Sequence, residues 1–341
     1  MSRRIAILGA SGSVGSTLAV HILRSHLLEP ADKLLLVGHG VRATERKLLS
    51  TRIDLMDAFD DDRVQIEIVP DVCDAEADIV IVAAGVTISK EFSTRRDLGA
   101  TNRIVFEHIA DRCATQLPNA LFIVVSNPVE LAVQILCFAA DRKRVIGMGA
   151  QQDSLRFARA IASDLAISRH DIRATVMGEH GPAMMPLWRS VELMAHDSQA
   201  ADKLTSLCQQ SASIPLEDRV TALRREVNQL LSEERVREAY VRTLQALPDA
   251  RIFVEPFITQ HSMHSTPNAT ANATLQCIAA AIANDRRRIH GQVLLKGEVF
   301  GSGWRLWNPV SARPGWVARG TTRLARVRRD YCGREVRESN Q

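Results

Sequence analysis

The chain has 341 residues, which is enough for two domains or one large α/β domain. Its 43 basic and 39 acidic residues leave a net charge of +4, which argues against a dedicated nucleic-acid binder, and its 46% apolar composition excludes a disordered chain. No apolar run approaches the about 18 residues of a membrane span, and the N-terminus lacks signal-peptide features. We therefore predict a cytoplasmic protein with no membrane and no nucleic acid among its partners.

The first half of the chain alternates strand-like segments with segments whose apolar residues recur at helical spacing. The predicted strands are Ile5–Leu8, Lys33–Val37, Val64–Val69, Asp78–Ala84 and Leu121–Val125. The predicted helices are Val14–Ser25, Arg42–Phe59, Arg95–Ala114 and Val129–Ala139. Repeated β-α units imply a doubly wound parallel sheet of the Rossmann type, with helices on both faces.

The pattern changes after residue 147. We predict a dinucleotide-binding domain over residues 1–147 and an α+β substrate domain over residues 148–335. The predicted elements of the second domain are a helix (Gln152–Leu165), a strand (Asp171–Met177), one long or two broken helices (Leu216–Leu247), a helix (Thr274–Asn284) and a strand (Val293–Val299). The Arg-rich tail from Ser311 is interpreted as a solvated surface rather than a phosphate or nucleic-acid patch.

A glycine-rich loop, Gly9-Ala10-Ser11-Gly12-Ser13-Val14-Gly15, joins the first predicted strand to its helix. Gly9 permits the tight turn, Gly12 lets a pyrophosphate approach the backbone, and Gly15 allows the helix to pack closely on the strand. The helix N-terminus supplies amide groups and a positive dipole end to phosphates. The loop therefore predicts a dinucleotide site that includes the remaining loop residues Ser11, Ser13 and Val14.

The second predicted strand ends without the acidic residue that would bind the ribose 2′-hydroxyl of NAD. The chain there reads Gly38-His39-Gly40-Val41-Arg42. The small glycines would leave room for the 2′-phosphate of NADP, with His39, Arg42 or Arg46 as its cationic partner. NAD with a loosely held ribose is the alternative, and the sequence leaves the choice between the two coenzymes open.

Three polar residues in the predicted second domain form a candidate catalytic set. His180 can exchange a proton with a hydroxyl or carbonyl oxygen near neutral pH. Asp153 can hold the imidazole in one tautomer, and Arg156 lies on the same helix face as Asp153, where it can clamp a carboxylate. Each residue alone has a commoner structural explanation, such as a helix cap for Asp153. Together they indicate proton transfer beside a bound carboxylate.

These motifs together resemble those of the lactate/malate dehydrogenase family. The other matching segments, in the family's order, are Val82–Gly85, Thr94–Asn102, Val125–Val129 and Val145–Gly147. The resemblance covers about residues 4–195 and returns more faintly from about 265 to 310, whereas residues of about 196–264 match poorly.

The resemblance implies reversible hydride transfer between NAD or NADP and a 2-hydroxy or 2-oxo acid, by a homodimer or homotetramer. His180 would be the general acid and base, Asp153 would orient it, and Arg156 would bind the substrate carboxylate. Arg95 would close over the site on a mobile loop, and Asn127 would lie near the substrate oxygen and the nicotinamide. The cofactor-binding residues that it further implies are Gly38, His39, Arg42, Ala84, Gly85, Asn102 and Val125.

The loop before Arg95 departs from the family's pattern. Malate-specific relatives usually place an Arg six residues before the loop Arg, and lactate-specific relatives place a Gln; here that count reaches Ser89, with Lys90 beside it. Gln152 stands where relatives usually have Leu. We therefore expect Ser89 and Lys90 to contact the substrate. A malate-like acid is favoured over lactate, and a larger or more polar 2-hydroxy acid stays open.

A different class of function stays open beside the enzyme. A catalytically lapsed nucleotide-binding sensor or partner subunit is the main alternative, motivated by the altered loop and the poorly matching middle segment. His261 and His264 form H-x-x-H, but no acidic or Cys partner stands at ligand spacing, so no metal site is predicted.

Overall fold

The computed structural model of the chain describes residues 2–39, 41–60, 64–86, 95–263, 265–283, 287–296 and 307–311. The chain forms two compact units. The first contains Met1–Gln151 and Pro267–Gln341, and the second contains Gln152–Thr266.

The described strands, in chain order, are β1 (Arg4–Leu8), β2 (Lys33–Val37), β3 (Gln65–Val69), β4 (Ile79–Val82), β5 (Leu121–Val124), β6 (Val145–Gly147), β7 (Ile172–Gly178), β8 (Met184–Leu193), β9 (Arg288–Gln292) and β10 (Trp307–Ser311). The described helices are α1 (Ser13–Arg24), α2 (Arg42–Ala58), α3 (Arg95–Ile109), α4 (Val129–Ala139), α5 (Gly149–Leu165), α6 (Ser198–Ser213), α7 (Leu216–Ser232), α8 (Val236–Leu244), α9 (Pro248–Met263) and α10 (Pro267–Ala283).

The first unit is built on one sheet, which has eight strands among the described residues, in the order β10-β9-β6-β5-β4-β1-β2-β3. Strands β1 to β6 run parallel, and β9 and β10 add an antiparallel edge. The chain winds outward from β1 in one direction through β2 and β3, and in the other through β4, β5 and β6. This confirms the predicted doubly wound fold, in which ligands bind beyond the carboxyl ends of the strands near β1 and β4.

The sheet core follows from the strand sequences. The central strands β1, β4 and β5 are almost wholly apolar because helices cover both of their faces. One buried cluster joins side chains of these strands to α3 and α4, and includes Ala6, Val80, Phe122, Phe106 and Leu136. The rigid sheet fixes where each strand ends, and so fixes the loops that carry the predicted cofactor motifs.

The compact units are drawn differently from the predicted domains 1–147 and 148–335, because the chain rejoins the first unit at Pro267. Helix α10 packs against α1, and β9 pairs with β6. The assignment of substrate binding to the second domain stays a prediction.

The strand predicted at Val293–Val299 is wrong where the structure describes it. The strand is β9, and residues 293–296 follow it in irregular backbone with Val293 and Leu295 buried, while residues 297–299 lie outside the described part. The apolar residues at the start of this run are therefore buried without belonging to a hydrogen-bonded strand. Within β9, a Cβ on Gly291 would lie 2.4 Å from the Ile146 side chain, so close packing explains the glycine. A glycine in a sequence is usually taken to interrupt a strand, and β9 was therefore not predicted.

The second unit consists of the antiparallel pair β7–β8, helices α6 to α9 and most of α5. The predicted strand Asp171–Met177 is confirmed as β7, and the segment predicted as one long or two broken helices is two, α7 and α8, separated at Glu234 with φ +57°. Sequence analysis did not predict α6, β8 or α9.

A buried carboxylate connects four elements of the second unit. Asp249 accepts hydrogen bonds from Trp188 Nε1 at 2.9 Å and from Arg219 Nη1 at 2.7 Å, and Ser211 donates to it as well. Burial acts to raise the pKa of Asp249, but these hydrogen bonds outweigh it and hold the pKa below the usual carboxyl value. This network ties α6, α7 and β8 to the start of α9.

Among the described residues, no helix combines the length and the apolar character that crossing a membrane requires. Cys113, Cys137, Cys208 and Cys277 form no disulfide within the described part of the chain. The Arg-rich tail after Ser311 lies outside the described residues.

Candidate active site

The glycine loop after β1 is shaped by close backbone contacts. Gly9 has φ +85°, which favours glycine, and its carbonyl oxygen accepts a hydrogen bond from Gly12 N at 3.0 Å. A Cβ on Gly15 would lie 2.3 Å from the Gly9 oxygen. Glycine at positions 9 and 15 is therefore required by the tight turn and by the approach of α1 to that turn, as the sequence predicted.

The start of α1 suits a phosphate group. Gly12 occupies the N-cap position and contributes no side-chain cap, and the first turn contains no acidic residue. Ser16 Oγ donates to the Gly12 carbonyl, so that hydroxyl turns back on the helix. The residues around Ser11, Ser13 and Val14 thus present backbone amides and the positive end of a helix, and they fit the pyrophosphate of a dinucleotide.

The loops after β4 and β5 are joined by a buried amide. Asn102, which is completely buried, accepts from Val86 N at 2.8 Å and donates to the carbonyls of Val86 at 3.0 Å and Asn127 at 2.6 Å. Gly85 has φ +140°, and a Cβ there would lie 2.8 Å from Asn102 Oδ1. Asn102 was predicted as a cofactor-binding residue, but its amide contacts backbone; it positions the two loops.

The carboxyl end of β5 presents the predicted residues Val125 and Asn127 in sequence. Val125 is buried, whereas Asn127 is exposed and its peptide bond to Pro128 is cis. Sequence analysis gave no role to Ser126, whose hydroxyl oxygen lies within hydrogen-bond distance of the carbonyls of Val82, at 3.0 Å, and Ala84, at 2.6 Å. From the sequence alone, a serine whose hydroxyl lies between two backbone carbonyls cannot be told from a serine whose hydroxyl is exposed to solvent.

The end of β2 requires a revised interpretation of Gly38. A Cβ on Gly38 would lie 2.8 Å from the Pro70 carbonyl oxygen and 3.2 Å from the Leu48 side chain. Packing therefore explains glycine at this position whichever coenzyme binds, and Gly38 does not discriminate NAD from NADP. The neighbouring residues His39 and Arg42 are both exposed at this end of the strand, and they therefore stay candidates for the cationic partner of a 2′-phosphate.

In the second unit, the structure brings together the three residues of the predicted catalytic set. His180 Nδ1 lies 2.7 Å from Asp153 Oδ2, and Arg156 Nη1 donates to Asp153 Oδ1 at 3.0 Å. The side chain of Asp153 is 2% exposed, whereas those of His180 and Arg156 are 19% and 13% exposed. One buried carboxylate thus holds an imidazole and a guanidinium that both retain access to solvent.

Local structure fixes this arrangement. Arg156 is three positions after Asp153 on α5, and the two side chains therefore share one helix face. Ser154 Oγ accepts from Val176 N at 3.0 Å, which attaches α5 to β7 just before the turn that carries His180. That turn begins at Gly178, with φ +92°, where a Cβ would lie 2.2 Å from the Ala183 carbonyl oxygen. Sequence analysis did not identify the role of Ser154.

The predicted loop residues are the least described. Ser89 and Lys90 lie outside the described residues, as does His264 of the H-x-x-H pair. Arg95 is the first residue of α3, and the position of its side chain lies outside the description. Each unit thus assembles its own set: the cofactor loops belong to the first unit, and His180, Asp153 and Arg156 to the second.

Residues 3–147 match the sequence model of the lactate/malate dehydrogenase NAD-binding domain. This part of the chain resembles the lactate/malate dehydrogenase family. The matched region contains the glycine loop and all six parallel strands, and the family model that it matches is that of an NAD-binding domain.

Curated relatives agree with this resemblance. A malate dehydrogenase of Methanosphaera stadtmanae is 29% identical over 195 residues, which are 56% of this chain and 60% of the relative. An L-2-hydroxycarboxylate dehydrogenase (NAD(P)(+)) of Methanocaldococcus jannaschii is 32% identical over 54% of this chain and 59% of its own length. The chain thus spans less than two thirds of these two relatives. A malate dehydrogenase of Rhodopirellula baltica is 28% identical over 93% of this chain and 88% of its own length.

Solved structures show the same fold. Lactate dehydrogenase from Eimeria maxima, solved with NADH and oxamate, has a TM-score of 0.68 at 17% identity and covers 99% of this chain and 93% of its own. A lactate dehydrogenase from a Medee basin deep-sea metagenome has a TM-score of 0.69 at 21% identity, covering 93% and 90%. These matches establish the fold, and they leave the choice between malate and lactate open.

Proposed function

We propose that this chain is an NAD(P)-dependent 2-hydroxy acid dehydrogenase, which transfers a hydride reversibly between the coenzyme and a 2-hydroxy or 2-oxo carboxylic acid. The observation that carries the proposal is the shared carboxylate of Asp153, which binds His180 Nδ1 at 2.7 Å and Arg156 Nη1 at 3.0 Å. An acid–base group and an anion-binding group, held side by side, are what a hydroxy acid requires.

His180 is proposed as the general acid and base. Because Asp153 binds the Nδ1 side of the ring, Nε2 is the nitrogen that exchanges a proton with the substrate. During oxidation the 2-hydroxyl proton passes to Nε2 while a hydride leaves C2; during reduction the proton returns to the oxygen. NAD or NADP, when bound, accepts or supplies that hydride.

Arg156 is proposed to bind the substrate carboxylate. Its guanidinium fork can hold a carboxylate bidentately, and Asp153 fixes the direction of the side chain. Arg95 and Asn127 are proposed to act on the substrate oxygen, Arg95 by closing over the site and excluding water. Ser89 and Lys90 are proposed to face the far end of the substrate.

For the substrate we propose a malate-like acid. The presence of Lys90 in the loop before Arg95 favours a second anionic or polar group on the substrate, and the malate dehydrogenases among the relatives agree with this choice. A homodimer or homotetramer and a cytoplasmic location stay predictions.

For the coenzyme we propose that NADP binds in preference to NAD. The end of β2 offers three cationic or potentially cationic side chains, His39, Arg42 and Arg46. Cations at this position suit a 2′-phosphate.

The test is turnover of the purified full chain on a panel of 2-hydroxy acids with each coenzyme, followed at the nicotinamide absorbance. We expect oxidation of at least one acid, with malate among the best. Tight coenzyme binding without turnover on the whole panel would contradict the proposal and would indicate the lapsed sensor or partner subunit instead.

A further inference from the structure

A polar pair lies beside the catalytic set in the second unit. Gln152 precedes Asp153 on α5 and is only 7% exposed. Its Nε2 donates a hydrogen bond to Thr266 Oγ1 at 3.0 Å. Thr266 is half-buried and lies 114 positions away in sequence, so the contact exists only in the fold. This pair is distinct from the acid–base chemistry already described.

The pair lies on the anion-binding side of α5. Gln152 and Arg156 are four residues apart in the helix, which makes their side chains neighbours on one face. Asp153, between them in sequence, holds both His180 and Arg156. A molecule whose carboxylate is bound by Arg156 and whose hydroxyl is next to His180 therefore lies beside the stretch of α5 that carries Gln152.

We infer that Gln152 and Thr266 determine substrate specificity by forming a polar wall against the substituent on C2 of the substrate. The inference rests on the proposed function. A substituent that carries a hydroxyl, amide or carboxylate can join the hydrogen bonds of this wall. An alkyl substituent would remove water from these polar groups without replacing its hydrogen bonds. The preferred substrate is a 2-hydroxy acid with a hydrogen-bonding substituent.

Glycerate and 2-hydroxybutyrate test this inference, because their substituents have the same number of heavy atoms and differ by a hydroxyl in place of a methyl group. For the wild type we expect kcat/KM to be at least about tenfold higher for glycerate, since sites that bind a hydroxyl discriminate strongly against its absence. In Gln152→Leu and Thr266→Val we expect this ratio to fall by about tenfold, mainly through a higher KM for glycerate.

Two further variants separate specificity from folding. Thr243→Val is the matched control, because Thr243 is a fully buried threonine of α8 that donates to the Ala239 carbonyl outside this pair; the substrate ratio is expected to stay at the wild-type value. Thr266→Ser keeps the hydroxyl and is expected to restore the ratio. A merely structural role for the pair would lower kcat/KM equally for both acids.

The outcomes distinguish the two proposals. A wild-type chain that oxidises no 2-hydroxy acid would overturn the proposed function. A wild-type chain that oxidises 2-hydroxy acids but prefers 2-hydroxybutyrate over glycerate would overturn the inference alone, even where a variant fails to fold. An unchanged ratio in folded Gln152→Leu would do the same.

Discussion

Asp153 is one carboxylate with two side-chain partners, an imidazole and a guanidinium. Its Oδ2 binds the imidazole of His180 and its Oδ1 accepts from Arg156, while the side chain itself is 2% exposed. Burial strengthens both contacts because little water competes for the carboxylate. A change at this position therefore affects proton transfer and carboxylate binding together.

The variant Asp153→Asn tests the shared carboxylate. The amide keeps the size of the side chain but removes its charge and offers the ring a donor as well as an acceptor, so we expect kcat to fall by about 10²–10⁴. We also expect KM for the acid to rise, because Arg156 loses its anionic partner. Steady-state kinetics measure both constants.

The control is Asp202→Asn, on an exposed position of α6, which should leave both constants unchanged. Coenzyme affinity, measured by fluorescence titration, should be the same in both variants and the wild type. A full retention of kcat in Asp153→Asn would contradict the role assigned to the carboxylate.

The coenzyme preference is a second prediction at the residue scale. We expect Arg42→Ala to weaken NADPH binding about tenfold, because a charge-assisted hydrogen bond to the phosphate contributes about 1.5–3 kcal/mol, and to leave NADH binding unchanged. We expect His39→Asp to shift the preference toward NADH. Position 38 is unsuitable for this test, since a side chain there would collide with the Pro70 carbonyl.

Fluorescence titration of the nicotinamide with each variant measures the two dissociation constants. Lys47→Ala, five residues further along α2 at an exposed position, is the matched control and should leave their ratio unchanged. An NADPH to NADH affinity ratio that does not change in Arg42→Ala would refute this assignment.

At the residue scale, the sequence was sufficient to predict that His180, Asp153 and Arg156 lie together, and it was insufficient for their neighbours; their catalytic roles stay a prediction. His180, Asp153 and Arg156 were found because each residue type has a specific chemical use in combination with the others. The contact between Gln152 and Thr266 joins distant parts of the chain through packing, which no local pattern encodes. The glycine at position 38 was attributed to coenzyme binding, although the nearby Pro70 carbonyl alone leaves too little room for a side chain there.

At the scale of elements, the five strands predicted in the first half and the helices between them were found because their apolar residues are continuous or regularly spaced. Helix α6 was missed because it is largely polar and Ala200 is its only fully buried residue. Helix α9 contains Pro256 and has no single apolar face. Strand β9 has few apolar residues and is defined by its pairing partners, which sequence patterns do not show.

The network around Asp249 gives a stability prediction at this scale. Replacing Asp249 with Asn leaves the Arg219 guanidinium without its buried anion, so we expect the free energy of unfolding at pH 7 to fall by about 3–5 kcal/mol. Urea unfolding followed by circular dichroism measures the loss. The surface pair Arg103–Glu107 provides a control, since Glu107→Gln should change stability by less than about 0.5 kcal/mol.

The same network gives a pH dependence with a defined sign. The pKa of Asp249 is held below its usual value, so the unfolded chain takes up the proton more readily than the folded chain. The contribution of Asp249 is therefore complete above about pH 4, the usual carboxyl range, and is lost as pH falls through the lower folded pKa. The stability difference between wild type and Asp249→Asn should shrink on acidification, and a difference that grew would contradict this account.

At the scale of the whole molecule, chemistry is divided between two compact units. The first provides the glycine loop and the strand ends that fit a dinucleotide, and the second holds the proposed acid–base and carboxylate-binding groups on α5 and the turn after β7. The chain leaves the first unit at Gln152 and returns at Pro267, and the predicted boundary missed that return. Sequence patterns report local structure, whereas such a return depends on which elements pack together.

The most direct test compares the wild type with His180→Ala, using turnover on the best 2-hydroxy acid and coenzyme affinity measured on the same preparations. We predict that kcat falls by at least about 10²-fold, because the proton has lost its acceptor, while the coenzyme dissociation constant is unchanged. A variant that retained most of the wild-type turnover would contradict the assignment of proton transfer to His180, and with it the proposed mechanism.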